Sequence, residues 1–266
     1  ETWVVLVAAS RYWFNYRHLS NVLAVYQIVK QYGVSDSNII LMNGFDDVCG
    51  TRNPFPGQMF GDTRAQLDIC RDVRSDYRGS DVTADAFLRV LTGRHYAGTP
   101  LSKRMHSNNE SNVVIYLSGH GGDGFFKFRD VEEVSAEEIG SAVAEMELKG
   151  RYNRMLFISD TCQAATLARD ITSRNVTSLA SSGASENSYA YSPNPNLGVS
   201  LIDRFSYSLS EFFRLHVRSK SDLKRLRLSD LVGSFDPRFL QSTPSMARTD
   251  GTADPRNIRL STFFGA

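Results

Sequence analysis

Two short apolar runs, each followed at once by residues that can carry chemistry, constrain this chain more than any other feature. Residues 113–117 form a β-branched run that leads into Ser118-Gly119-His120-Gly121-Gly122. Residues 155–158 form a second run, followed by Ser159-Asp160-Thr161-Cys162-Gln163. Short apolar runs of this kind are typical of strands buried inside a parallel sheet. Because such sheets gather ligands at the carboxyl ends of their strands, we expect His120 and Cys162 to meet there.

The rest of the sequence alternates strand patterns with helix patterns. Further strands are predicted at residues 3–9, 38–42 and 176–182, with helices at 17–32, 83–91, 135–146 and 201–216. Residues 46–77 lack periodicity and predict a long irregular segment, and residues 257–261 predict a late strand. This order predicts one α/β domain over residues 1–266, a three-layer sandwich with a mostly parallel central sheet and helices on both faces.

Composition excludes several classes of function. The chain has 266 residues and a net charge of +1, which gives no electrostatic case for binding nucleic acid. No run reaches the about 18 apolar residues of a membrane span. No signal peptide is visible, but such segments are removed from mature chains, so a lumenal origin stays open.

His120 and Cys162 indicate a function more strongly together than either does alone. A loop histidine alone is usually a polar surface group, and a cysteine after an apolar strand is usually a small core residue. Here the histidine lies roughly 40 residues upstream of the cysteine, the order found in caspase-like proteases, although the caspase signature Gln-Ala-Cys-x-Gly is absent. We therefore predict that Cys162 is a nucleophile and His120 its general base. The backbone N–H groups of Gly121 and Cys162 are predicted to form an oxyanion hole.

The motifs resemble those of the legumain family of cysteine peptidases. The match includes Trp13-Phe14-Asn15-Tyr16-Arg17-His18, Ser118-Gly119-His120-Gly121-Gly122, Asp160-Thr161-Cys162-Gln163, residues 87–94 and residues 262–265, and it runs nearly the whole length. The resemblance is strongest to the transamidase branch of that family. It implies a caspase-like fold and a cysteine-dependent reaction that cleaves a C-terminal GPI-attachment signal through a thioester and transfers the new carboxyl end to the amine of a GPI lipid.

The same resemblance implies a setting for this reaction. Its partners would be the other subunits of a membrane-bound complex, the C-terminal signal of a proprotein and the GPI lipid. The location would be the lumen of the endoplasmic reticulum, with membrane association through the complex or through a C-terminal helix that this chain does not include. The chemistry requires no cofactor.

Roles for further residues follow from the resemblance alone. Asn15 is expected to orient His120, and a substrate pocket is expected to involve Arg17, Ser181 and Ser182. A structural calcium ion is expected near Asp36, Ile39 and Asp76, although Arg74 stands where an acidic ligand is usual.

Cysteines and sequons add smaller expectations. If Cys162 is the nucleophile, Cys49 and Cys70 could pair, stay free or bond to another chain; the resemblance favours an intersubunit disulfide at Cys49. Asn109 and Asn175 each begin an Asn-x-Ser/Thr sequon and are predicted glycosylation sites.

The sequence differs in two places from the members of the family that act as proteases, and both differences bear on the reaction. Those proteases carry an aspartate just before the catalytic histidine, where this chain has Gly119, and their nucleophile lies in a Glu-Ala-Cys-Glu-Ser context. Both differences favour the transamidase. The alternatives are a legumain-like asparaginyl endopeptidase and a non-catalytic scaffold, the second disfavoured because His120 and Cys162 are both present.

Overall fold

The computed structural model describes residues 1–45, 48–61, 66–68 and 73–265, with the backbone alone for residues 66–68. The strands are β1 Thr2–Ala8, β2 Ile39–Asn43, β3 Gln58–Phe60, β4 Gln66–Asp68, β5 Tyr77–Arg78, β6 Asn112–Ser118, β7 Gly121–Gly122, β8 Phe125–Phe128, β9 Glu132–Ser135, β10 Arg154–Asp160, β11 Val176–Ala180, β12 Ala190–Asn194, β13 Val199–Asp203 and β14 Ser245–Arg248. The α-helices are α1 Tyr16–Gln31, α2 Ala84–Thr92, α3 Ala136–Leu148, α4 Arg204–His216, α5 Lys220–Arg225, α6 Leu228–Gly233, α7 Pro237–Leu240 and α8 Ser261–Phe264.

One large sheet organises these elements. Its strand order is β14-β11-β10-β6-β1-β2-β5, and every pair is parallel except the β11–β14 pair at one edge. The centre of the sheet consists of the apolar runs that the sequence predicts, which are β10, β6, β1 and β2. Because helical crossovers between parallel strands cover both faces of a sheet, these strands are apolar on both sides. Three small antiparallel sheets surround it: β7-β8-β9, β12-β13 and β3-β4.

Alternation along the strands divides the core into two layers. In β1, Val4 and Leu6 pack into the layer covered by α1 and α4, whereas Val5 and Val7 pack into the layer covered by α2 and α3. This follows from the two-residue period of a strand, which sends successive side chains to opposite faces. The predicted α/β sandwich with a mostly parallel sheet is confirmed.

Several local predictions are wrong or incomplete. Residues 257–261 do not form a strand; Ile258, Leu260, Phe263 and Phe264 are all buried, and the segment turns through a 3₁₀ helix into α8 to place them. Within the segment predicted to be irregular, β3 pairs with β4. In the part of the chain that the structure describes, no helix is both long and apolar enough to cross a bilayer.

Candidate active site

The sheet brings the three predicted catalytic residues to one edge. Ala8 at the end of β1 is in register with Ser118 at the end of β6, and Ser118 is in register with Asp160 at the end of β10. Asn15, His120 and Cys162 lie in the segments that follow these three strands. Cys162 carries a free, partly exposed thiol.

Asn15 fixes the orientation and the tautomer of His120. The amide nitrogen of Asn15 donates to the carbonyl oxygen of Arg11 at 2.7 Å, which leaves its Oδ1 facing His120 Nε2 at 2.8 Å. An amide oxygen only accepts, so His120 Nε2 must carry the proton and Nδ1 keeps its lone pair. Asn15 is buried, so its side of this bond is removed from water. The ring nitrogen that a base needs is therefore the one left open.

The surroundings keep His120 neutral. Burial lowers the pKa of His120 below 6.5, and the positive charge of Arg17 lowers it further. A second histidine, His18, packs edge-on against the ring, with 4.9 Å between the ring centroids. His18 is fully buried, its Nδ1 lies 2.7 Å from Ser10 Oγ, and burial lowers its pKa well below 6.5. At neutral pH His120 can accept a proton from a thiol.

The two glycines beside His120 are required by close packing. A side-chain carbon at Gly119 would lie 2.9 Å from the Phe126 ring and 3.3 Å from Ala9 Cβ. One at Gly121 would lie 2.7 Å from Thr161 Oγ1 and 2.9 Å from the Phe125 carbonyl oxygen. The loop after β6 therefore approaches the residue before Cys162 closely enough that only glycine fits without a shift.

Ser181 and Ser182 hold the nucleophile loop. Both are fully buried. Ser181 Oγ accepts from the Thr161 N–H at 3.2 Å, and Ser182 Oγ donates to the Thr161 carbonyl oxygen at 2.8 Å and accepts from the Ala164 N–H at 3.1 Å. Their hydroxyl groups bond to the main chain around Cys162 and position that loop. A role for these serines in a substrate pocket stays a prediction.

Arg17 belongs to a buried network that extends to Asn21, Asp203 and Ser206, for which the sequence predicts no role. Its Nε donates to Asp203 Oδ1 at 3.1 Å, and Asn21 donates to Asp203 Oδ2 and to Ser118 Oγ. Asp160, just before Thr161, accepts from Ser206 at 2.6 Å. Burial raises the pKa of both carboxyls, and the charge of Asp203 raises that of Asp160 further.

One signal could have found this network. Arg17, His18 and Asn21 are polar residues close together on a helix whose neighbours are mostly apolar, and such a polar stripe on a buried helix predicts partners elsewhere in the core. The partner Asp203 lies far away in sequence, at the start of α4, and only the fold identifies it.

The residues expected to hold calcium do share a cavity, but they do not fit the ion. Asp36, Ile39, Arg74 and Asp76 line a space of about 330 Å³. Asp36 already accepts from Tyr26 at 2.8 Å and from Lys30 at 2.7 Å, and Asp76 accepts from the Leu41 N–H at 2.9 Å. Among the described residues no group of three or more metal-ligating side chains exists. A calcium ion needs six to eight oxygen ligands, and here a guanidinium takes part of the space.

Cys49 follows β2, and the two sequons precede β6 and β11. Cys49 is disulfide-bonded in the structure. An intersubunit disulfide at this residue stays a prediction. Cys70 lies outside the described residues. Asn109 is exposed in a turn, and Asn175 is half-buried with φ of +60° at the start of β11. Glycosylation at either asparagine stays a prediction.

Comparison with known proteins places this geometry in a family. Residues 2–226 match the model of the Peptidase C13 family. The GPI-anchor transamidase of Schizosaccharomyces pombe is 44% identical over 100% of this chain and 69% of its own length, and that of Homo sapiens is 42% identical over 100% and 67%. Caspase-1 from Spodoptera frugiperda is similar in structure, with a TM-score of 0.49 and 10% identity over 99% of this chain and 89% of that chain.

The two relatives are named for the activity that the sequence predicts. They match across the whole of this chain, so the prediction of a GPI-anchor transamidase of the cysteine-peptidase type is confirmed at that level. The chain belongs to the Peptidase C13 family.

Proposed function

We propose that this chain cleaves a C-terminal GPI-attachment signal through a thioester on Cys162 and transfers the new carboxyl end to the amine of a GPI lipid. The observation that carries the proposal is the hydrogen bond between Asn15 Oδ1 and His120 Nε2, since it leaves His120 Nδ1 as an open base. The names and identities of the relatives support the same reaction.

The first half of the reaction follows from the roles of these residues. His120 takes the proton from the Cys162 thiol, and the thiolate sulfur attacks the scissile carbonyl carbon. The peptide C–N bond then breaks, the proton on His120 passes to the leaving amine, and a thioester remains. Gly121 and Cys162 supply backbone N–H groups to the oxyanion, and Ser181 and Ser182 hold the loop that carries the second of these groups.

The second half differs from proteolysis only in the attacking group. The amine of the lipid attacks the thioester carbon, gives its proton to His120 and releases the Cys162 thiolate, which is reprotonated. Water would follow the same route and produce a free acid. The enzyme must therefore favour an amine over water at the thioester.

A legumain-like asparaginyl endopeptidase is the alternative. It shares the thioester and needs the same Cys162, His120 and Asn15. The packing around Gly119 argues against it, because an aspartate in that place would meet Phe126 at its first side-chain carbon. The loop after β6 is therefore built around glycine.

The setting is also proposed from the relatives. An enzyme of this kind acts at the membrane of the endoplasmic reticulum, on its lumenal side, as one subunit of a complex that presents the proprotein and the lipid. The described residues contribute no membrane-spanning helix to such a complex.

The test is a competition for one acyl-enzyme. The complex containing this chain is supplied with a proprotein that bears a GPI-attachment signal and with increasing hydrazine. We expect an adduct at the new carboxyl end that increases with hydrazine while transfer to the lipid decreases, because both amines attack the same thioester. The Cys162→Ala complex is the control and should give neither product. Rapid hydrolysis of short asparagine-containing peptides without any adduct would support the endopeptidase instead.

A further inference from the structure

The segment between β1 and α1 displays a stacked group of side chains beside the active site. Tyr12 and Phe14 are 41% and 63% exposed, and their rings stack with 5.7 Å between centroids and 19° between planes. The guanidinium carbon of Arg11 lies 4.5 Å from the centroid of the Tyr12 ring. We call the side chains of Arg11, Tyr12 and Phe14 the aromatic platform.

A partly buried anchor holds the platform in place. Trp13, between the two exposed rings, points the other way: its indole N–H donates to the Leu197 carbonyl oxygen at 2.9 Å. The Trp13 ring packs against Tyr16 and Phe45, with 5.4 Å and 6.1 Å between centroids. Two exposed rings that stack on each other around a fixed indole form an ordered aromatic surface.

The backbone of the platform is strained. Tyr12 has φ of +72° and ψ of 144°, a conformation that glycine adopts readily and a residue with a side chain adopts at a cost in free energy. Strain of this kind persists where the surrounding structure enforces it, and it concentrates at functional sites. Glycine at this position would relieve the strain, so a tyrosine here points to a use for its ring.

The same backbone holds the catalytic residues. The Arg11 carbonyl oxygen accepts from the Asn15 side-chain amide at 2.7 Å, and the Tyr12 carbonyl oxygen accepts from the Asn15 N–H at 3.0 Å. The Phe14 carbonyl oxygen accepts from Arg17 Nη1 at 3.1 Å. A ligand that rests on the platform is therefore held in a fixed position relative to the residue that orients His120.

We infer that the aromatic platform binds the peptide segment of the donor protein next to the cleaved bond. This inference rests on the proposed function. GPI-attachment signals have small residues at and after the attachment site, and small side chains leave the peptide planes uncovered. Flat amide planes and small aliphatic groups pack closely on exposed ring faces. The platform contributes contact area and orientation and takes no part in bond making or breaking.

The experiment measures the KM for the proprotein in the intact complex with saturating hydrazine as acceptor. The double variant Tyr12→Ala/Phe14→Ala should raise this KM about tenfold, since exposed aromatic anchors carry much of the affinity at such contacts. The variants Tyr12→Phe and Phe14→Tyr should stay close to the parent. Tyr96→Ala is the matched control, because Tyr96 is also exposed (64%) and stacked on an arginine, Arg89, at 3.9 Å, but follows α2.

Tyr12→Gly separates a binding role from a structural one. It removes one ring and also relieves the backbone strain, so we expect a Tm equal to or above that of the parent together with a several-fold higher KM. A ring that only supports the fold would give a lower Tm instead. This variant also keeps the inference testable if the double alanine variant does not fold.

Three outcomes decide the matter. An unchanged KM for the proprotein in both Tyr12→Gly and the double variant overturns the inference. A normal hydrazine reaction with weakened transfer to the lipid also overturns it, because the platform would then serve the acceptor. If the parent only hydrolyses its substrate, the proposed transamidation is refuted but the platform is not. The KM of each variant for the proprotein can then be compared with that of the parent by measuring hydrolysis.

Discussion

The two ends of the central sheet both carry charged and polar side chains, and they use them differently. At the carboxyl end, Asn15 and the loops of His120 and Cys162 are held by hydrogen bonds that leave one ring nitrogen and one thiol open. At the amino end, before β2 and β5, Asp36 and Asp76 accept from neighbouring donors, and Arg74 lines the same cavity.

Charge explains the difference. At the amino end, burial raises the pKa of Asp36, but hydrogen bonds from Lys30 and Tyr26 and the charge of Arg74 outweigh it, and the pKa is lowered overall. At the carboxyl end, burial and Arg17 lower the pKa of His120 and keep it neutral. A polar cluster whose charges compensate each other stabilises the fold, whereas one that leaves an unprotonated base and a free thiol at the same edge of the sheet can carry a reaction.

The largest expected effect is at the two reactive atoms. Cys162→Ala and His120→Ala should each lower the rate of adduct formation by about 10³-fold or more, because removing one member of a nucleophile–base pair disables the other. Each residue lies beyond the end of its strand, so Tm should stay within about 2 °C of the parent. His216→Ala, a histidine replaced at the exposed end of α4, is the control and should keep full activity. More than a tenth of parental activity in Cys162→Ala would remove the nucleophile assignment.

The next effect concerns the orientation of His120. Asn15→Ala should lower kcat by about 10²-fold, since the ring loses the partner that fixes its tautomer. The pH dependence of kcat/KM gives a second test of the state of His120. A lowered pKa means that His120 stays neutral until the pH falls below about 6.5, so the acid limb of kcat/KM should have its midpoint below that value.

Asn15→Asp tests the sign of this pH dependence. A carboxylate facing His120 Nε2 stabilises the protonated ring, which raises its pKa and moves the acid limb to higher pH. Asn196→Asp makes the same charge change at an exposed turn and should leave the limb in place. An acid limb that does not move in Asn15→Asp would contradict the assigned bond.

The sequence predicts the carboxyl end of the sheet well and the supporting network poorly. Strands β1, β6 and β10 are continuous apolar runs, and the residues that follow them carry recognisable chemistry, so their meeting at one edge follows from topology. Asp203 and Ser206 contact this edge from a distant segment, and no local pattern predicts that contact.

The C-terminal part of the chain shows the same limit. Strand β14 is a polar edge strand at residues 245–248, and its only signal is its pairing with β11. Helix α8 is a short segment whose Phe263 and Phe264 are buried against the core. Tertiary contacts decide both elements, and local propensity does not.

Gly119 offers a test at the carboxyl end that does not depend on catalysis. Gly119→Ala places a methyl group 2.9 Å from the Phe126 ring, and we expect it to lower the free energy of unfolding by about 1–3 kcal/mol, the range for overpacking. A double-mutant cycle with Phe126→Leu in denaturant unfolding should show favourable coupling, because the smaller side chain makes room. Gly233→Ala, where a methyl group meets nothing within 4 Å, is the control. Additive effects of Gly119→Ala and Phe126→Leu would mean that this contact does not select glycine.

The smallest expected effect is at the amino end, where Arg74 lines the cavity together with Asp36 and Asp76. The guanidinium supplies positive charge to the cavity that Asp36 and Asp76 line, so calcium and a chelator should give the parent the same Tm. Arg74→Glu removes that charge and adds a third carboxylate. We expect a lower Tm in chelator, from repulsion between carboxylates, and recovery with about 1 mM calcium, within the range of weak oxygen-ligand sites.

Arg78→Glu makes the same charge change on the exposed face of β5 and should show no calcium response. The comparison between the two ends of the sheet depends on this result. A parent whose Tm rises with calcium would mean that Asp36 and Asp76 leave their present partners to bind the ion, and that the amino end is also a ligand site. A calcium response confined to Arg74→Glu would mean that Arg74 supplies the positive charge that a calcium ion would otherwise supply, and that this cluster stabilises the fold.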